Sequence, residues 1–202
     1  MAKILIGLAA KQCAGKGTFV TLLRELLPQY TVGQNTSSKS LKAFLDRLKL
    51  PFNREHTDPL VLALEEFFEG PALSDKMKKI LMRDFSQISI FDGMRLPSDF
   101  TMMKDLAKEW SVPLIFVYIT ATDEICLARA SARGEKDGEN KLTPEEFQKQ
   151  QKAYTARFIP ELGRKYADWI IVNERGIDEY RERMKEFIQK KIMPHLGFRP
   201  DT

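Results

Sequence analysis

The sequence is poor in the residues that build disulfide frameworks, metal knuckles and nucleophile–histidine pairs. Cys13 and Cys126 are its only cysteines, and it has two histidines. Two widely separated thiols form neither a C-x-x-C pair nor a disulfide framework, so reduced cysteines are the default. His195 has no companion ligand or nucleophile near it in the sequence, which places it at the surface. No stretch approaches the roughly 18 apolar residues of a membrane span. No opening segment joins a basic start to an apolar middle and a small-residue cleavage site, so a cytoplasmic protein without a membrane partner is expected. The net charge is +4 and the pI about 9.0, yet no block of five like charges occurs and acids interleave with the basic residues, as in 178–183 (DEYRER). That pattern argues against a nucleic-acid partner, and a small anionic substrate explains the excess equally well. Repeats, heptad arrays and low-complexity segments are also missing. A chain of 202 residues suits one domain with insertions.

What is present starts near the amino terminus. Ile4, Leu5 and Ile6 read as a buried strand, Ala9 to Gly17 is rich in small residues, and apolar residues return at helical spacing from Thr18. Within that strand–loop–helix, Gly15, Lys16, Gly17 and Thr18 reproduce the end of G-x-x-x-x-G-K-[ST]. One extra Gly separates Lys from Thr, and Ala10 stands in place of the first Gly. The chemistry needs small residues because successive backbone N–H groups must wrap an anion at the positive end of a helix without Cβ atoms in the way. Cys13, Ala14, Gly15, Lys16, Gly17 and Thr18 are therefore the candidate phosphate cradle, with Lys16 reaching the β and γ phosphates and Thr18 facing a magnesium ion. A glycine-rich turn without a ligand is the plain alternative; the strand before it and the helix after it favour the cradle. Cys13 reads as a small loop-filling residue.

Further along, Tyr30 to Val32 suggests a short second strand. A helix capped at Ser37 or Ser38 would turn Leu41, Phe44, Leu45 and Leu48 to one side, and Pro51 would stop it. Asp58 and Pro59 suggest the start of another helix with Leu60, Leu64, Phe67 and Phe68 inward, and Ser74 and Asp75 open a third carrying Met77, Ile80, Leu81 and Phe85. Three helices with no strand between them read as an insertion over about 35–85. Ile88 to Phe91 is a strand that runs into Asp92, Gly93, Met94 and Arg95. Reactive groups of parallel α/β sheets gather at the carboxyl ends of strands, so Asp92 is a candidate metal-holding carboxylate and Arg95 a candidate phosphate grip. Without the upstream loop, an Asp-Gly turn with a solvated Arg would serve.

Pro113 to Ile119 is the most strand-like run, and Thr120 with Asp123 suggests a capping box for the next helix. Arg129 and Arg133 lie one turn apart on it and share a face. They precede the polar stretch 135–141 (EKDGENK), where a movable cover would need such cations. Thr143, Pro144 and Glu146 form a second capping box, starting a helix that carries Phe147, Tyr154 and Phe158, with Lys152 and Arg157 as weaker candidate ligands. Asp168 to Val172 is the last strand and Ile177 to Met193 an amphipathic helix.

The G-K-G-T ending and the D-G-M-R turn resemble nucleoside monophosphate kinases, particularly the adenylate kinase-like and dephospho-coenzyme A kinase-like branch of the P-loop kinases. The resemblance spans essentially the whole chain. It implies a three-layer α/β/α fold with a five-stranded parallel sheet: core 1–34, 86–128 and 159–193, a helical monophosphate-binding arm over about 35–85, and a lid over about 129–158. It implies ATP and Mg2+ as cofactors and a nucleoside monophosphate as substrate. Lys16, Arg129, Arg133 and Asp92 would be catalytic, Thr18 and Asp92 would hold the metal, and Lys42 and Arg95 the acceptor. Asn173 to Gly176 would lie on the donor adenine, adding Asn173, Gly176 and Arg129 to the ATP site. Lys42 replaces the family's bidentate Arg and Lys39 stands near its usual Asp; these exchanges are not neutral. The lid has no cysteines for zinc. The expected reaction is γ-phosphoryl transfer from ATP to a nucleoside monophosphate. The alternatives are dephospho-coenzyme A kinase-like transfer to a ribose hydroxyl and a non-catalytic ATP-binding or RNA-associated module.

Overall fold

The computed structural model describes residues 4–133 and 142–196, apart from the side chains of Arg54 and Arg133. Five strands form one parallel sheet in the order β2-β3-β1-β4-β5: β1 (Ile4–Ala10), β2 (Val32–Asn35), β3 (Ile88–Asp92), β4 (Leu114–Thr120) and β5 (Trp169–Val172). Helices cover both faces, so the central strand β1 carries no polar side chain. All seven residues of β1 are buried. Ile4, Ile6, Leu8 and Ala10 turn to one core, with Phe19, Leu22 and Leu23 of α1 (Lys16–Leu26) and Tyr180, Met184 and Phe187 of α9 (Ile177–Phe187). Leu5 and Ala9 turn to the other, with Phe100, Met103 and Leu106 of α5 (Pro97–Trp110) and Leu162 of α8 (Ile159–Tyr166). The expected sheet and its helical cover are therefore present.

Between β2 and β3 come three helices, α2 (Ser37–Arg47), α3 (Arg54–Phe67) and α4 (Ala72–Leu81), in the segment that the resemblance makes an arm. Between β4 and α8 lie α6 (Asp123–Arg133) and α7 (Pro144–Gln151). None of the described helices is long and apolar enough to cross a membrane.

Local structure departs from the sequence reading in several places. β2 is Val32–Asn35 rather than 30–32, because pairing with β3, not its own weakly apolar sequence, defines it. The cap of α2 is Thr36, whose hydroxyl accepts from the Ser38 amide. α3 begins a turn before Pro59, capped by the Asn53 side chain on the His56 amide; Asp58 is spent elsewhere. Thr122, not Thr120, caps α6, accepting from the Ile125 amide. The amphipathic helix from Ile177 passes through a π-helical turn at Ile188–Ile192. The apolar residues expected to face inward on the arm are also not all covered: Phe67, Phe68 and Phe85 are 79%, 62% and 80% exposed. The capping box at Thr143 and Glu146 forms as expected, with reciprocal bonds of 2.8 and 3.2 Å.

Candidate active site

The strand order reverses direction at β1: β2 and β3 lie on one side, β4 and β5 on the other. The crevice beyond the carboxyl ends of such a sheet is where ligands sit. The loop after β1 curls there with Cys13 at φ 58° and Gly15 at φ 110°, and Gly15 caps α1. Alternation between right- and left-handed residues turns successive N–H groups to one side, the concave shape that binds anions. Gly15 is also hemmed in behind, since a Cβ there would collide with the Asn173 amide. These features fit a polyphosphate cradle. Thr18 is half-buried in the first turn of α1. Lys11, one residue past β1, holds Asp123 of α6 at 2.8 Å. Burial opposes the Lys11 charge, but Asp123's hydrogen bond and charge outweigh it and raise its pKa.

β3 delivers Asp92 beside this loop. Gly93, at φ 103°, reverses the chain, and the Gly93 and Met94 amides both donate to the Leu8 carbonyl at 3.0 and 3.1 Å. That double bond pins the turn to β1. Asp92 Oδ2 accepts from Gln34 Nε2 at 2.7 Å, while Oδ1 lies 3.8 Å from Lys16 Nζ. Oδ1 is buried and accepts no hydrogen bond among the described residues. An oriented carboxylate oxygen without a donor next to the loop lysine fits a metal ion or its water shell.

Arg95 stands three residues on, half-buried, facing Asp58, Asp92 and Asp99. Burial draws its guanidinium below the usual value while the three carboxylates hold it up. Asp99 caps α5, accepting from the Arg95 and Leu96 amides at 2.8 and 3.0 Å and from the Ser74 hydroxyl at 2.8 Å. Burial pushes the Asp99 carboxyl up in spite of these bonds and of Arg95. A folded-state value above the ordinary 3.8 means stability present at low pH and lost as pH rises through the raised value. Asp99→Asn, which keeps an acceptor for the amides, should thus lose stability relative to the parent as pH falls from neutral. Urea unfolding of both proteins over a pH series measures it, and an opposite slope would refute the assignment.

Lys16, Asp92 and Arg95 open onto one cleft of about 540 Å³, closed on its far side by the first turns of α2 and α3. Lys39, exposed, and Lys42 line it as well; Lys42 also bonds Asp46 of its own helix at 2.9 Å. Among the described lining residues, four are cations and two are carboxylates. The segment after α7 is fastened over the arm: Thr155 donates from its hydroxyl to Asp58 at 2.6 Å and Tyr154 to Glu65 at 2.7 Å. Arg157, a weaker candidate, lies over the Phe158 and Tyr154 rings, 4.6 and 5.2 Å from their centroids. Lys152 terminates α7.

Arg129 is placed differently from the expectation of a phosphate contact. It does not line the cleft; its guanidinium donates to the Asn173 carbonyl at 3.0 Å, behind the loop. The Arg133 side chain and the middle of the expected lid, 134–141, lie outside the described residues. Asn173 in turn donates to the Ala14 carbonyl at 2.8 Å, and Gly176, at φ 95°, caps α9. Sequence reading missed Gln34, Asp58, Asp99 and Tyr180. Gln34 alone had a usable signal, its place two residues past the strand expected at 30–32. Burial pushes the Cys126 thiol up to about 11, leaving it inert.

The chain matches no protein-family model, and no curated relative matches it. Solved structures do share its architecture. A shikimate kinase from Acinetobacter baumannii, in complex with shikimate, superposes with a TM-score of 0.51 at 12% identity, covering 100% of this chain and 97% of that one. A protein from Chloroflexus aurantiacus, provisionally described as a kinase, gives 0.59 at 16% identity, covering 95% and 100%. The fold is shared with these two proteins. At these identities the likeness carries the fold alone. Within it, Lys16 and Gly17 of the loop and the carboxylate at Asp92 line the crevice that the sheet order singles out.

Proposed function

We propose that this chain transfers the γ-phosphoryl group of ATP to the phosphate of a nucleoside monophosphate, giving a nucleoside diphosphate. The observation that carries the reading is one cleft that joins the phosphate loop and Asp92 to a second wall carrying Lys39, Lys42 and Arg95. Two anionic reactants need cations on both sides of the point of transfer, and positioning with charge neutralisation is most of the catalysis. Lys16 spreads along the migrating group. Arg95, and Lys42 once released from Asp46, hold the acceptor phosphate. An acceptor oxygen bonds to the γ-phosphorus as the bridge from the β-phosphate breaks, and ADP carries away the electron pair. Thr18 and Asp92 are the residues that would hold magnesium, whose charge neutralises donor oxygens when bound. Arg129 acts through Asn173 on the loop.

One observation favours a second reading. The donor-free Asp92 Oδ1 would also suit a base taking the proton of an acceptor hydroxyl, as dephospho-coenzyme A kinase-like transfer requires. A panel of nucleoside monophosphates and dephospho-coenzyme A, incubated with ATP and magnesium and resolved by chromatography, separates the two. A diphosphate from at least one monophosphate is expected. Product only from the hydroxyl acceptor replaces the first reading with the second, and no product from any acceptor ends both.

A further inference from the structure

The peptide bond is planar, with its C=O and N–H pointing in opposite directions. Whatever holds the carbonyl end of a loop peptide therefore aims its amide. Two carbonyls of the phosphate loop are held from behind by the far end of the chain. Ala14 O accepts from Asn173 Nδ2 at 2.8 Å, across 159 positions. Gly15 O accepts from the Tyr180 hydroxyl at 3.1 Å, across 165 positions, as well as from the Phe19 amide at 3.0 Å. These peptides carry the amides of Gly15 and Lys16, the two that flank the start of α1.

Both donors are themselves immobilised. Tyr180 is 2% exposed and packs in the same core as Met184 and Phe187. Burial raises its hydroxyl pKa, so it remains a donor throughout the neutral range. Asn173 is 7% exposed, and Arg129 grips it through its carbonyl at 3.0 Å and its side-chain oxygen at 3.5 Å. A Cβ on Gly15 would meet Asn173 and lie 3.2 Å from the Tyr180 ring, so the loop is pressed against these groups.

We infer that Tyr180 and Asn173 are positioning residues for the donor polyphosphate: they turn the Gly15 and Lys16 amides into the cradle and keep them there. The inference rests on the reading of this loop as the ATP site. It assigns Tyr180 a role in nucleotide affinity that touches neither the adenine nor the acceptor.

The test is isothermal calorimetry on the full chain with Tyr180→Phe, which removes one oxygen and keeps the ring, and Asn173→Ala as a second variant. ATP with magnesium, inorganic tripolyphosphate and adenosine are the probes. Tyr180→Phe should bind ATP about tenfold more weakly, the size of one hydrogen bond to a buried group, and tripolyphosphate should weaken by the same factor. Adenosine affinity should not change, and thermal melts report whether each variant is folded. A purely structural role would lower the melting temperature without separating these ligands. Parent-like ATP and tripolyphosphate affinity in both folded variants overturns the inference alone, as does a loss confined to ATP and adenosine. A parent that binds no ATP overturns it together with the cradle reading.

Discussion

Lys16→Ala should cost at least about 10²–10³-fold in turnover, the size seen when one preorganised charge or donor is removed from a transition state. Lys16 belongs to the first turn of α1 and its side chain is 26% exposed, so the ammonium can go without opening the core. Its neighbour at 3.8 Å is Asp92 Oδ1, which places it at the junction of the cradle and the second wall. The loss should appear in both kcat and the ATP KM, because in the proposed reaction the ammonium would touch the donor before and during transfer. Lys16→Arg should not restore the rate, since a planar guanidinium needs a wider, differently angled space than a point charge. Steady-state kinetics with far-ultraviolet circular dichroism as a fold control decides it. Parent-like turnover in Lys16→Ala would remove this loop from the chemistry.

Asp92→Asn should be the second large effect, with a different signature. The substitution keeps the size of the side chain, and an amide oxygen can still accept from Gln34 Nε2. It removes the negative charge at Oδ1, the atom left without a donor beside Lys16. Turnover should fall about 10²-fold, while ATP binding measured without magnesium should hold or tighten. A carboxylate that faces the polyphosphate helps only when a cation lies between them. Activity should then need more magnesium to saturate. Unchanged turnover and magnesium dependence would strike Asp92 from the reacting centre.

The strands of the sheet interior were legible in the sequence because a parallel sheet covered on both faces favours near-continuous apolar runs; β1 and β4 have them, and β3 is apolar at Ile88, Ile90 and Phe91. β2 was not, because its Val-Gly-Gln-Asn becomes a strand only through pairing with β3. The arm helices were found but their coverage was misjudged. Helical spacing shows that Phe67 and Phe68 share a region of surface, and it does not say whether anything lies over them. The Asp-Pro pair at 58–59 imitated a helix start, whereas Asn53 supplies the cap and Asp58 accepts from Thr155 on a distant segment.

The site divides along the same line. The strand–loop–helix that carries Gly15, Lys16, Gly17 and Thr18 was legible in the order of residues alone, because an apolar run, a short loop of small residues and apolar residues at helical spacing are all local features. Only the tertiary structure decided that Asp92 meets Lys16 and Gln34, that Arg129 turns back to Asn173, and that Tyr180 reaches Gly15. Those contacts join residues tens to more than a hundred positions apart. Strand order and the side on which each helix packs bring them together, and spacing along the chain carries no trace of either.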